Sequence, residues 1–305
     1  MQADGTITRL ILRNRPASAD NGGRSMPYHG GSRGEDAARD YYETSDVDTF
    51  YAYVWGGEDI HTGIYAHAGE AVADASRRTV ERVADKVADL LTPEARVLDM
   101  GSGYGGPARY LAATFGCPVT ALNISETQNR HHRTVNTERG LDGLIDVVTE
   151  SFQDVPFEDG RFDVVWSQEA FCHSPDRART LAEAVRALKP GGALAFTDLM
   201  ADESASAQAL RPVVSRLRVD GLATPDFYRR SLPGLGMSPV EFDDLSDQVG
   251  NHYVRLMEET HQREQELRTV ISSDYVDTLL NSLSLWVDAA HRGQLRWGIF
   301  HCRRL

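Results

Sequence analysis

The residues with the clearest chemical capacity are Asp99, Gly101, Ser102 and Gly103, within the run V-L-D-M-G-S-G-Y-G-G at 97–106. An apolar segment runs into closely spaced glycines, and a helical pattern follows. Glycine lacks a Cβ, so the backbone at Gly101 and Gly103 can press against a ligand and aim its amides at polar groups. Dinucleotide enzymes use such a turn too. Those enzymes place Asp or Glu at the end of the second strand to hold ribose hydroxyls. This chain has Asn123-Ile124-Ser125 there. Asn123 can still bond a hydroxyl, but the missing acid points away from nicotinamide cofactors.

Three further segments follow in order. They are E-S-F-Q-D at 150–154, F-D-V-V-W-S at 162–167 and L-K-P-G-G at 188–192. Together with the glycine turn, their order and spacing match the motifs of class I S-adenosylmethionine-dependent methyltransferases. A more specific likeness lies in Y-A-Y-V-W-G-G-E-D-I-H-T-G-I-Y at 51–65, W-S-Q-E-A-F-C-H-S at 166–174 and W-G-I-F-H at 297–301. On these phrases the chain, from about residue 41 to 301, resembles the betaine-forming sarcosine/dimethylglycine N-methyltransferases. A thinner likeness extends to phosphoethanolamine methyltransferases. The segment before residue 36 carries neither.

The resemblance implies S-adenosyl-L-methionine as cofactor. It implies that Ile60 and His61 close over the methionine end, with Asp99, Gly101, Ser102 and Gly103 beneath it. Asn123, Ile124 and Gln128 would stand beside the ribose and adenine, Ser151 and Phe152 around the adenine, and Gln168 at the amino acid portion. His173 matches a histidine that, in the phosphoethanolamine relatives, pairs with an amino-terminal tyrosine near the transferred methyl. Tyr42 is the first choice for that tyrosine and Tyr41 the second. His301 stands where those relatives carry a phosphate-binding lysine, which argues against a phosphorylated substrate.

The implied chemistry is attack of an amine on a sulfonium methyl, where positioning supplies much of the acceleration. The amine must first lose a proton, and imidazole titrates near neutrality, so His173 is the expected acceptor, directly or through water. A small amino acid's carboxylate calls for a guanidinium fork, and Arg216 and Arg218 are the candidates. Aromatic faces hold methylated ammonium groups, which brings in Tyr42, Tyr53, Trp55, Trp286 and Trp297. Buried aromatics more often fill cores. No cluster of carboxylates and histidines has metal-ligand spacing, so no metal is expected. Two readings stay open besides sarcosine and dimethylglycine methylation. One is a methyltransferase for another small-molecule amine, imidazole or hydroxyl; the other is a cofactor-binding protein without catalysis.

The elements that must position these residues alternate β and α. Strands are expected at 96–100, 118–122, 145–149, 162–167 and 193–197. Helices are expected at 105–115, 125–139 (with Ser125 as N-cap) and 176–188. An amphipathic helix at 68–91 precedes them, and one or two short helices are expected in 37–53. Short apolar strands alternating with helices predict a parallel sheet covered on both faces: an α/β, Rossmann-like sheet. Beyond Asp198 the pattern turns helical at 204–220, 225–235, 247–270 and 275–290. A possible strand lies at 239–242 and a last one at 294–302. The expected organisation is a mobile tail at 1–36, a cofactor-binding core at 37–200, a helical cap at 201–293 and a strand at 294–305 returning to the sheet. The cap would sit at the carboxyl edge of the strands, where open α/β sheets bind ligands.

Composition sets the outer bounds. The 305 residues carry a formal charge of −13, which disfavours nucleic acid as a partner. No apolar run reaches the roughly 20 residues that span a bilayer. Cys117, Cys172 and Cys302 are scattered, and free thiols in a cytoplasmic enzyme are expected. Lys86 and Lys189 are the only lysines among 32 basic residues. A high-GC genome and an acidic, lysine-poor surface suited to a salty cytoplasm account for this equally well.

Overall fold

Among the described residues the alternating runs form a seven-stranded sheet in the order β3-β2-β1-β4-β5-β7-β6. The computed structural model describes residues 50–55, 58–217 and 219–305, with Ala52 and Arg216 described in their backbone alone. The expected tail, Tyr41, Tyr42 and Arg218 lie outside the described residues, as does the side chain of Arg216. The strands are β1 (Val97–Met100), β2 (Val119–Asn123), β3 (Ile145–Thr149), β4 (Phe162–Gln168), β5 (Leu188–Ala201), β6 (Glu241–Asp244) and β7 (Leu295–Arg303). The pairs among β1 to β5 are parallel, whereas β7 runs antiparallel to both β5 and β6.

Side chains alternate across the strands, as a sheet buried on both faces requires. Val97, Val164, Ala195 and Ile299 pack with α1 (Val72–Asp85) and α2 (Gly106–Phe115) through Val80, Val83 and Leu111. Leu98, Val165, Phe196 and Phe300 pack on the other side with Leu181 of α4 (Arg177–Ala187). Between β2 and β3 runs α3 (Glu126–Glu138), where Ser125 accepts from the Gln128 amide as the expected N-cap. Asp176 caps α4 in the same way through the Arg179 amide.

Beyond β5 come α5 (Ala207–Leu217), α6 (Pro225–Gly234), α7 (Asp247–Gln262), α8 (Glu264–Val270) and α9 (Ser273–His291). The structure departs here from a single helical cap. Tyr228 of α6 packs on Phe196 and Phe300 at centroid distances of 5.0 and 5.1 Å, so α6 covers the sheet rather than the site. The remaining helices share a separate core with Phe50, Trp55, Leu199 and Trp297. The expected helix at 247–270 breaks at Arg263, whose guanidinium donates to the Tyr53 carbonyl. The fifth strand begins earlier than expected, at Leu188. Its register against β4 shifts after Phe162, and Lys189–Gly192 bulges out with Gly191 at φ +79°.

Candidate active site

The site starts at the turn after β1. Gly101 and Ser102 amides donate to the Leu122 carbonyl at 2.8 and 3.1 Å, which bends the chain tightly over the end of β2. Gly101 has φ +86°, and a Cβ there would lie 2.3 Å from the Ala170 Cβ. Only glycine meets both the conformation and the approach. At the start of α2, a Cβ on Gly106 would lie 2.1 Å from Asp59 Oδ1 and 2.6 Å from the Glu58 carbonyl oxygen. The strap at 58–63 is therefore seated directly on this helix.

Between the turn, the strap and the ends of β2 and β4 lies a cavity of about 810 Å³, its open mouth included. Of the twelve residues expected around the cofactor, all but Asp99 line it. Asn123 donates to Gln128 Oε1 at 3.0 Å, and Ser151 accepts the Gln153 amide at 3.1 Å. Gln168 Oε1 accepts from Trp166 at 3.2 Å. Ser102 Oγ, Gln128 Nε2, Gln168 Nε2 and His61 Nε2 are buried without a hydrogen-bond partner among the described residues. Buried polar atoms normally find partners, so a cavity ringed by these four fits a polar ligand such as S-adenosylmethionine. Asp99 lies behind the turn, 1% exposed, where burial pushes its pKa up to about 7.

The strap is tied down from three sides. Ser76 of α1 donates to the His61 carbonyl at 2.8 Å, and Thr79 donates to that of Thr62 at 2.8 Å. The Gly63 amide donates to His252 Nδ1 of α7 at 3.2 Å. Glu169, just past β4, accepts from the Thr62 amide at 2.9 and 3.0 Å, the Thr62 hydroxyl at 3.1 Å and Trp297 Nε1 at 2.9 Å.

A methyltransferase domain model matches residues 98–196. A sarcosine/dimethylglycine N-methyltransferase of Halorhodospira halochloris is 47% identical over 269 residues, 88% of this chain and 96% of that protein. A glycine/sarcosine/dimethylglycine N-methyltransferase of Actinopolyspora halophila is 49% identical over 266 residues; this chain spans 47% of that longer protein. A crystal structure of a candidate sarcosine dimethylglycine methyltransferase from Galdieria sulphuraria superposes with a TM-score of 0.80 at 34% identity, covering 85% of this chain and 98% of that one. This chain belongs to the sarcosine/dimethylglycine N-methyltransferase family. Family members draw their methyl group from S-adenosylmethionine.

Against that family's chemistry the remaining residues sort clearly. His173 lines the cavity, in a helical turn (Phe171–His173) after β4. Burial, aided by Arg177, lowers its pKa to about 4. His301 does not line the cavity. It sits opposite Ala195, towards the amino end of β5, and approaches Glu241 at 3.7 Å, because β7 runs antiparallel and carries it away from the carboxyl edge. Trp55 also stays outside the cavity. It is 7% exposed, and its Nε1 donates to the His61 carbonyl at 3.3 Å, so it props the strap. Trp286 stacks on Tyr253 at 4.5 Å within the cap core, and Tyr53 is buried in that core too. Among the described residues, no three His, Cys, Asp or Glu side chains gather as a metal site, and no helix is long and apolar enough to cross a membrane.

Sequence reasoning missed Glu169 and Glu58, both of which line the cavity. The signal for Glu169 was a lone charge directly after a buried parallel strand, inside a phrase otherwise read for Gln168 and His173. Glu58 carries no such signal, standing beside Asp59 within the phrase at 51–65. Its carboxylate pairs with Arg109 of α2 and, at 2.6 Å, with Arg139.

Proposed function

We propose that this chain methylates sarcosine and dimethylglycine towards glycine betaine, and that the cavity after β1, β2 and β4 is where it does so. The observation carrying this reading is the cavity's make-up: the residues picked from sequence for the cofactor converge there, with two carboxylates and no lysine or arginine among the described residues that line it. Glu58 is already paired with Arg109 and Arg139, so Glu169 is the carboxylate that favours a cationic ligand, and both an ammonium and a sulfonium are cations. S-adenosylmethionine supplies an activated methyl on a sulfonium.

The chain's residues then take these roles. The Gly101–Gly103 backbone and Gln168 hold the methionine portion. Asn123, Ile124 and Gln128 hold the ribose side, and Ser151 and Phe152 flank the adenine. Ile60 and His61 close the strap over it and exclude water. His173 is neutral at working pH, because burial disfavours its cation, and it orients the amine by hydrogen bonding. Tyr42 is its proposed partner, and Arg216 and Arg218 are the proposed cations for the substrate carboxylate. The test is mass spectrometry of products after incubation with methyl-labelled S-adenosylmethionine and sarcosine, dimethylglycine or a mixed metabolite extract. Labelled betaine from both amines is expected. Label appearing only on another metabolite would overturn the assignment.

A further inference from the structure

Glu169 differs from Glu58, the other acid lining the cavity, in what surrounds it. Glu58 shares its charge with Arg109 and Arg139. The bonds that Glu169 accepts all come from neutral donors, Thr62 and Trp297, with Thr197 farther off at 3.5 Å. Among the described residues no cation pairs with it. Burial pushes its pKa up, and the charged or titratable groups around it are Asp198 on β5, which adds to that rise, Cys172 and His173 in its own turn, and His61 and Glu58 of the strap. Asp198 is occupied by the Tyr228 hydroxyl at 2.6 Å and the Cys172 amide at 3.0 Å. Arg177 spends its Nη2 on the carbonyls of Cys172 and Gly221.

The backbone makes the same point. Glu169 is the one described residue other than glycine with a left-handed φ, at +51°. That conformation is uncommon for a residue with a side chain and clusters at functional sites. A lone carboxylate in a largely buried cavity is unfavourable unless a ligand brings the opposite charge. We propose that Glu169 is the counter-charge for cations in this cavity and accepts the proton of the acceptor amine. The amine part of this inference rests on the function proposed above.

In the step, the N–H bond of the bound ammonium breaks and its electron pair stays on nitrogen. The proton forms an O–H bond on Glu169. The freed lone pair is the nucleophile towards the donor's methyl, and the proton leaves to water after product departs. Burial raises Glu169 to about 7, whereas His173 stands at about 4. An acceptor near the working pH is the more effective base. The bonds from Thr62 and Trp297 hold the carboxylate in place while it gains and loses the proton.

The experiment compares the full-length wild type with Glu169→Gln and Glu169→Asp. Initial rates on sarcosine and dimethylglycine are followed from pH 6 to 10, and ligand binding is followed by calorimetry. The wild type should show an inflection in kcat/KM near pH 7. Glu169→Gln should lose about 10²–10⁴-fold at pH 7, lose that inflection, and close the gap as pH nears the amine's own pKa. Glu169→Asp should keep the inflection with part of the rate. A uniform loss at every pH together with weakened S-adenosylhomocysteine binding would instead mark a structural clamp and overturn the proposal. Calorimetry in buffers of different ionisation enthalpy adds a readout that needs no turnover. At pH 7 the sulfonium of S-adenosylmethionine should expel a proton from the wild type, neutral S-adenosylhomocysteine should not, and Glu169→Gln should expel none. Equal release by both proteins would also overturn it. If the wild type methylates neither amine yet shows the Glu169-dependent release, the substrate assignment falls and the counter-charge role stands.

Discussion

Gly101 and His173 show how differently a single side chain can matter at this site. A methyl at Gly101 would meet a neighbouring Cβ, that of Ala170, which has no rotamer to move. It would also occupy φ +86°. Gly101→Ala should therefore push the turn at 169–170 outwards and weaken S-adenosylmethionine binding by more than about tenfold, as one lost kilocalorie-scale fit would. Adding Ala170→Gly should restore part of the affinity by removing the clash but not the strain; calorimetry on both variants checks this. His173 is a subtler case. Its imidazole is neutral well below pH 7, since burial holds its pKa at about 4. Replacement by Ala should misplace the amine and lower kcat by up to about 10²-fold. The pH profile should keep its wild-type shape, because the proton acceptor is intact. A profile that loses its inflection in His173→Ala would return the proton step to the histidine.

At the scale of elements, the glycine turn and the β-α rhythm were legible because both are written in local residue types. Strands β1 to β4 fall within a residue or so of the expected bounds, and the Ser125 cap formed as its side chain dictates. The strap was legible only as a phrase. Its ties join Thr62 to Glu169 across 107 positions and Gly63 to His252 across 189, and no window of sequence exposes such partners. The same limit hid α6, which looks like any cap helix until Tyr228 meets Phe196 and Phe300. It also misplaced His301, since only the direction of β7 decides which end of the sheet it reaches. The strap's seat gives a direct test. Gly106→Ala would crowd the Glu58 backbone and Asp59 Oδ1, and backbone cannot yield as a flexible side chain does. The strap should lift, raising KM for S-adenosylmethionine more than it lowers kcat. A variant with unchanged KM would show that the strap does not bear on cofactor binding.

Over the whole molecule, two sets of buried groups pull stability in opposite directions with pH. Burial raises Asp59 and Asp198 to about 6, and Asp99 and Glu169 to about 7. In the folded state these acids keep protons that the unfolded chain has released above its ordinary carboxylate range of about 4. Their contribution therefore falls as pH climbs from about 4 to 7. Burial lowers His61, His132 and His252 to about 3, and His173 to about 4. Here the unfolded chain binds the extra protons, so this contribution rises as pH climbs from about 3 to 6.5. The two slopes oppose each other over most of the acid range. The ligand-free protein should thus show a nearly flat thermal midpoint between about pH 4.5 and 6.5, with a steep fall below 4. Glu70 and Asp202, held at about 2 by hydrogen bonds from Arg78 and Ser204, lose their stabilising charge in that fall. Asp99→Asn isolates one arm of the balance. Asp99 Oδ2 has no hydrogen-bond partner among the described residues, and an amide of the same shape carries no charge to bury. The variant should match the wild type near pH 4 and melt progressively higher than it up to about pH 7, with the gap constant above that. Thermal scans at fixed ionic strength from pH 4 to 9 read it. A gap that is constant across the range, or of the opposite sign at pH 8, would mean that Asp99 is not the carboxyl held protonated by burial.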